Sequence, residues 1–378
     1  MKIIIIGING IPAQHGGFET CVDNTSTRIA TRGHKVIVYC RSRNIKLKDN
    51  YYKKVRLVKL PSIGSKHLET ISHSFLSVIH LLFRECDVVH IYGVGSSIFV
   101  PLLKILKKKI VVSVDALDWE RDKWGKFARW YLKKSAFFAI KYADEIIVDS
   151  KVIQKFYKER FKRDTVYIPY GASAGRKCDE KILEKHGLKK DKYLLFVGRL
   201  IPEKGVHNLI EAYKKLNTEL ELIVIGGDWF TTKYIEFLKD LAKGSNVRFL
   251  GFVYGEDYNS ICSGAYIYIQ PSEVDGTSPS LLAAMGFGNC VIANGIPENL
   301  ETIGNAWLSY KINDVEDLKQ KLKYLISNPE RVSEYRKKAE DRIRFYYDWD
   351  RASKAIEELY KKILDGEKVH PELYEHIN

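Results

Sequence analysis

The chain is poor in sulfur: six cysteines and two methionines in 378 residues. The cysteines are Cys21, Cys40, Cys86, Cys178, Cys262 and Cys290, with no CxxC pair among them. That spacing supports neither a zinc ribbon nor a thioredoxin-type site, and it fits buried free thiols in a reducing compartment. No unbroken run of about 18 apolar residues occurs, so a membrane-spanning helix is not expected. The apolar opening from Met1 to Gly7 is too short for a signal peptide and lacks a small-residue cleavage pattern. A cytoplasmic protein is expected, soluble or held on the inner face of the membrane. With 26 Gly and 10 Pro, no internal repeat and no low-complexity tract, the chain is not fibrous. No GKS or GKT occurs, which excludes a Walker phosphate loop.

What is present is apolar and basic. Hydrophobic residues make up 45% of the chain, enough for two cores of ordinary domain size. Sixty-one basic against 47 acidic residues leave a net charge of +14. Such a balance suits a polyanion: nucleic acid, an anionic membrane or a phosphorylated substrate.

Short β-branched runs alternate with amphipathic stretches. Ile3–Ile6, Lys35–Tyr39, Val55–Lys59, Val88–Ile91, Ile110–Val114 and Glu145–Val148 read as strands buried on both faces, with helical patterns at Cys21–Arg32 and Leu68–Phe83. The pattern restarts with strands at Tyr193–Val197, Leu220–Ile225, Val247–Leu250, Tyr266–Gln270 and Asn289–Ala293. Helical pieces lie between them at His207–Leu216, Tyr234–Lys243 and Pro279–Met285, and Gly175–Lys192 also reads as charged and helical. The expectation is an α/β chain with two successive doubly wound parallel sheets. Ile168-Pro169-Tyr170-Gly171-Ala172 reads as the joint. The domains are then 1–170 and 171–349, with a last amphipathic helix in 350–378 returning to the first.

Three loops follow strands and precede helices. The first runs from Gly7 to Thr20 and contains Gly16 and Gly17, which let backbone approach an anion at a helix N-terminus. It lacks GxGxxG spacing, and the next strand ends Tyr39-Cys40-Arg41 with no acidic residue for a ribose, so a dinucleotide site fits poorly. The second loop places Arg199 and Lys204 just past a strand, where two cations could hold a diphosphate. The third, Gln270 to Met285, carries Glu273 and Asp275, and then Gly276, Thr277 and Ser278 ahead of Pro279. Pro in the first turn with Ser or Thr before it signals a capped helix start.

Together the three pieces resemble the GT-B glycosyltransferases of the retaining family GT4. The likeness is closest to the rhamnosyltransferase-like branch, whose members share the opening read here from Gly10 to Thr20. The stretch Val114-Asp115-Ala116-Leu117-Asp118-Trp119 also looks like that branch. The resemblance covers nearly the whole chain. It implies two Rossmann-like domains facing across a cleft, a nucleotide-sugar donor such as dTDP-rhamnose or a UDP-sugar, and no metal or other cofactor. Donor contacts would come from Gly16, Gly17, Arg199, Lys204, Glu273, Asp275, Gly276, Thr277, Ser278 and position 283. Asp115, Arg199, Lys204 and Asp275 would be catalytic, and Phe18, Glu19, Asp118 and Trp119 would meet the sugar or the acceptor. By the same likeness the acceptor is a glycan or a polyprenyl-linked glycan.

Two departures stand out. The family has two Glu residues with seven between them; Asp275 occupies the first position and Ala283 the second. Losing a ribose-binding Glu would weaken donor binding by about 1–3 kcal/mol. At the position where many relatives contact the sugar 6-hydroxyl with His, this chain has Asp115, which suits a 6-deoxy sugar. Two rival functions stand beside this one: a GT-B nucleotide-sugar 2-epimerase, for which the sequence offers no convincing acid–base set, and a catalytically impaired donor-binding protein, argued from Ala283.

Other features weigh less. Asp348-Trp349-Asp350 mimics a DxD metal motif, but it precedes the last helix, where Asp350 reads as an N-cap. His15 lies in the first loop, while His67, His73 and His80 form no zinc set and read as surface or partly buried. Cations and aromatics interleave over 104–141, with Lys126, Lys133, Lys134 and Lys141 among Phe127, Trp130 and Phe137. That mixture suits an anionic membrane surface; nucleic acid is not the expected partner.

Overall fold

The computed structural model describes the chain except for residues 14–15, 46, 65–67, 115–118, 120–124, 176–177, 229–230, 307 and 378. Two compact units result, Met1–Tyr170 with Trp349–Asn378, and Gly171–Asp348.

The first unit is built on strands β1 (Lys2–Ile6), β2 (Lys35–Arg41), β3 (Tyr51–Tyr52), β4 (Val55–Leu60), β5 (Val88–Tyr92), β6 (Lys109–Val114), β7 (Glu145–Val148) and β8 (Val166–Tyr167). They stand in the order β3-β4-β2-β1-β5-β6-β7-β8. All pairs are parallel except the β3–β4 hairpin. Its helices are α1 (Gly17–Thr31), α2 (Glu69–Leu82), α3 (Val100–Ile105), α4 (Lys126–Tyr142) and α5 (Lys151–Phe161).

In the second unit β9 (Tyr193–Val197), β10 (Glu221–Ile225), β11 (Val247–Gly251), β12 (Ile267–Gln270), β13 (Cys290–Asn294) and β14 (Leu308–Tyr310) form a parallel sheet. Its order is β11-β10-β9-β12-β13-β14. The helices around it are α6 (Glu180–Lys185), α7 (Val206–Lys214), α8 (Thr232–Leu241), α9 (Gly255–Gly264), α10 (Pro279–Gly286), α11 (Pro297–Ile303), α12 (Val315–Ser327) and α13 (Pro329–Tyr346). The last helix, α14 (Trp349–Asp365), belongs to the first unit.

Continuous apolar strands demand cover on both faces, and the helices provide it. Ile3, Ile4, Ile5 and Ile6 are all buried, as are Leu194, Leu195 and Phe196 of β9. Among the described residues of the charged stretch 175–192, the α-helix is α6, where Asp179 caps the start by accepting from the Lys181 N–H at 2.9 Å. The helix expected from Cys21 begins four residues earlier, at Gly17.

α14 is tied to the first unit by both apolar and polar contacts. Ala352, Ala355, Ile356, Leu359 and Ile363 are buried along one face. Arg28 on α1 meets Asp350 at 2.9 Å, and Glu357 takes Arg32 at 3.4 Å and His34 at 3.0 Å. Asp350 lies inside the first turn of a helix that starts at Trp349, so it pairs with α1 instead of capping α14. Deeper in, Tyr360 of α14 reaches His90 of β5 at 2.6 Å, whose other nitrogen meets Ser113 of β6 at 2.8 Å.

His90 and His73 are wholly buried. Burial holds His90 down at about 3, and burial together with the Arg41 charge holds His73 at about 4. The unfolded chain binds these protons near pH 6.5, the folded chain only at the lower values. The stability that neutral burial supplies is therefore complete above pH 6.5 and lost as pH falls toward 4, at roughly 1 kcal/mol per pH unit for each histidine. Urea midpoints between pH 7.5 and 4.5 are expected to fall less steeply in His73→Leu than in the parent. Equal slopes would show that His73 does not set the acid limit.

Candidate functional site

The chemistry-bearing residues of the second unit meet at the C-terminal ends of β9 and β12, which are hydrogen-bonded neighbours. After β9 the chain turns through Gly198–Leu200 and a short 3₁₀ turn at Pro202–Lys204. Gly205 then adopts φ +62°, and a Cβ there would stand 2.2 Å from the Pro271 carbonyl oxygen. Only glycine permits both the left-handed turn and that approach. The Glu273 N–H donates to the Glu203 carbonyl at 2.9 Å, fastening the loop after β12 to the loop after β9.

This contact brings Lys204 against Asp275, Nζ to Oδ2 at 2.6 Å, with side chains only 15% and 12% exposed. Gln270, fully buried at the end of β12, organises the pair. Its Nε2 lies 2.9 Å from Asp275 Oδ2, 2.9 Å from Ser272 Oγ and 3.1 Å from Ser278 Oγ. The Tyr268 hydroxyl donates to Gln270 Oε1 at 2.7 Å. Burial raises the Tyr268 hydroxyl well above its ordinary value, so it remains a donor.

Glu273 turns toward α7. It accepts from Asn208 Nδ2 at 3.2 Å and lies 3.6 Å from His207 Nε2, while the other His207 nitrogen meets the Tyr234 hydroxyl at 2.9 Å. Gly276, Thr277 and Ser278 are buried ahead of α10. Ser278 occupies the N-cap position but its side chain does not cap the helix; it reaches Gln270 and Ser280 instead. The start of α10 thus has no side-chain cap, an arrangement that favours an anion. Arg199 is exposed and has no ion-pair partner among the described residues. Ala283 is half-buried on the second turn of α10. Glu298, on α11, has its carboxyl raised first by burial, with the Asp275 charge adding to it.

The first loop is shaped by close approach. A Cβ on Gly7 would stand 2.2 Å from the Tyr92 carbonyl oxygen, and Gly16, at φ +100°, would place one 2.0 Å from Glu19 Oε2. Glu19 is buried, and its Oε1 accepts the Asn9 N–H at 2.8 Å, bracing the loop. Gly17 opens α1, and Phe18 stands edge-on to Tyr92 at 5.5 Å. Phe18 also lines a small cavity with Cys21, Ser113 and Asp149. Trp119 is packed into the apolar core, edge-on to Phe161 at 6.4 Å. Asp115 and Asp118 lie outside the described residues, as do His15 and His67. His73 is buried and His80 meets the Tyr39 hydroxyl at 2.8 Å.

Sequence reasoning found the cations and the acidic loop but missed Tyr268, Gln270, His207, Asn208 and Glu298. One signal was available: Gln270 is a polar residue closing an otherwise apolar strand, next to the loop that carries the acidic candidates.

The fold is that of the GT-B glycosyltransferases, two parallel-sheet Rossmann-like units. Residues 179–342 match the family model "Glycosyl transferases group 1", and residues 1–173 match a domain of unknown function, DUF1972. The likeness to the group 1 glycosyltransferases thus covers the second unit. An uncharacterized glycosyltransferase of Methanocaldococcus jannaschii is 29% identical over 279 residues, covering 68% of this chain and 70% of that protein. The O-antigen chain mannosyltransferase B of Escherichia coli is 26% identical over 36% of this chain and 37% of its own length. Among solved structures, Anabaena HepE in complex with UDP-glucose superposes with a TM-score of 0.79 at 16% identity, covering 96% of this chain and all of that one.

Gly205→Ala tests whether the approach of the two loops matters. Gly244 has a similar φ of +74°, but a Cβ there would meet nothing within 4 Å, against the Pro271 oxygen at 2.2 Å for Gly205. Gly244→Ala is expected to cost about 1–2 kcal/mol from left-handed strain alone. Gly205→Ala should cost clearly more in chemical denaturation; equal losses would mean that the loops do not depend on that contact.

Proposed function

We propose that this chain is a retaining, metal-independent glycosyltransferase of the GT4 type. It transfers a hexose, with rhamnose the favoured sugar, from a nucleotide diphosphate donor to a glycan or polyprenyl-linked acceptor in cell-surface polysaccharide synthesis. The observation that carries the reading is the meeting of Arg199, Lys204 and the uncapped start of α10 at one sheet edge. Ligands of open α/β sheets bind at that edge. The O-antigen relative supports the acceptor class and the UDP-glucose complex of the structural neighbour supports a nucleotide-sugar donor.

The reaction needs charge stabilised on a departing diphosphate. Arg199 offers a fork with no ion-pair partner among the described residues, and Lys204 a point charge whose position is fixed by Asp275 and Gln270. The amides leading into α10 take the distal phosphate. In front-face attack the leaving phosphate oxygen accepts the acceptor's proton as the new glycosidic bond forms on the face the diphosphate leaves. No metal or further cofactor is needed, because protein cations and amides bear the charge. The acceptor side falls to the first unit, where Phe18, Glu19 and Asp118 are the residues assigned to sugar or acceptor, and Asp115 is assigned a catalytic role. Phe127, Trp130 and Phe137 stand exposed on α4 among exposed lysines, a face suited to the inner membrane surface. No described helix is long and apolar enough to cross a membrane.

Calorimetric titration with UDP, dTDP, GDP and ADP tests the donor site. One nucleotide should bind preferentially, weaken about tenfold or more in Arg199→Ala, and bind roughly 5- to 100-fold tighter in Ala283→Glu, the range of a charged hydrogen bond to ribose. Absence of binding by every form would refute the donor reading. Turnover with the preferred nucleotide sugar should survive EDTA and yield a product of unchanged anomeric configuration. Sugar conversion without acceptor would instead favour the epimerase.

A further inference from the structure

A second cationic site lies in the first unit, whereas the sheet edge just described belongs to the second. A cavity of about 440 Å³ is lined by Thr27, Arg28, Arg32, Lys53, Lys54 and Asp350. Four cations against one carboxylate give the lining a formal charge of +3. The hairpin that supplies two of those cations has an unusual turn. β3 and β4 pair antiparallel with Tyr52 opposite Val55, leaving Lys53 and Lys54 as the two turn residues. Both are left-handed, at φ 43° and 69°. That turn geometry favours Asn-Gly, and lysine at both positions strains the backbone. Strained backbone of this kind clusters at active sites, ligand clamps and switch regions. Lys54 is exposed with no ion-pair partner among the described residues, and the Lys53 ammonium stands 5.0 Å over the Tyr52 ring. The pocket's carboxylate, Asp350, pairs with Arg28 at 2.9 Å and lies 4.0 Å from Arg32.

We propose that this pocket binds a diphosphate group, which Lys53, Lys54 and Arg32 hold while it competes with Asp350 for Arg28. The charge matches: a diphosphate carries two to three negative charges, and guanidinium forks suit its oxygens. A free diphosphate and the headgroup of a prenyl diphosphate present the same chemistry to these residues. Asp350 is the second residue of the segment with which the chain re-enters the first unit, so occupancy acts at the start of α14.

The test is pyrophosphate titration in an Arg199→Ala background, which weakens any contribution from the donor site. Lys53→Asn/Lys54→Gly replaces both lysines with the pair the turn prefers, so the melting temperature should hold or rise while pyrophosphate affinity falls at least tenfold. Asp350→Asn removes the internal competitor and should tighten binding several-fold. Undiminished affinity in the turn variant, or no pyrophosphate binding in the Arg199→Ala protein, overturns the proposal. Co-sedimentation with phosphatidylcholine vesicles, with and without farnesyl diphosphate, identifies the source. Recruitment that requires both farnesyl diphosphate and the two lysines assigns a lipid headgroup, whereas solution binding alone assigns a free diphosphate.

Discussion

Parallel pairing of β9 with β12 is the constraint on which the second unit's site depends. Parallel strands end on one side of the sheet, so the loops that follow them emerge together. Leu194 opposite Ile267 and Leu195 opposite Tyr268 fix the register. That register delivers Lys204 and Asp275, 71 positions apart, to within 2.6 Å of one another. Both lie in loops, yet neither depends on the loop alone. Gly205 permits the close passage at Pro271, and Gln270 at the strand end holds the carboxylate.

The pairing changes what the two cations can do. Lys204 is already partnered by a carboxylate slightly more buried than itself, and breaking such a pair leaves an uncompensated charge in a poorly solvated place. Its ammonium is therefore best regarded as positioned, with its field partly offset. Arg199 is exposed and has no such offset among the described residues. A dianion arriving at this edge meets one full positive charge, one shared one, and the uncapped amides of α10. Asp275 is engaged with Lys204 and Gln270, so its first task is to set geometry.

Much of this was legible in the sequence because it follows from periodicity and punctuation. Buried β-branched runs announced the parallel sheets, and Gly, Pro and Ser at strand ends announced the loops. What was not legible depends on three-dimensional coincidence. Ser278 was an ideal cap by type and position, yet a buried Gln competes for its hydroxyl. Trp119 sits in a stretch that resembles a ligand-binding segment, but its ring fills the apolar core. His90 and Tyr360 give no local signal, since their pairing joins a strand to a helix 270 residues later. The short hairpin β3–β4 escaped because Lys-Lys is the reverse of a turn signal.

The returning helix illustrates how one residue pattern can carry two meanings. Asp348-Trp349-Asp350 matches a metal motif letter for letter. Its surroundings decide otherwise, because Trp349 is buried and Asp350 faces Arg28. An Asp in the first turn of a helix is favoured by the helix dipole, so α14 stabilises the carboxylate from behind while α1 supplies the counter-charge in front. The pair is partly exposed and stabilises little by itself. The firm attachment of α14 comes from its buried apolar face and from the Tyr360–His90 contact. The Arg28–Asp350 pair is thus free to be exchanged without releasing the helix, which is the property a competing anion requires.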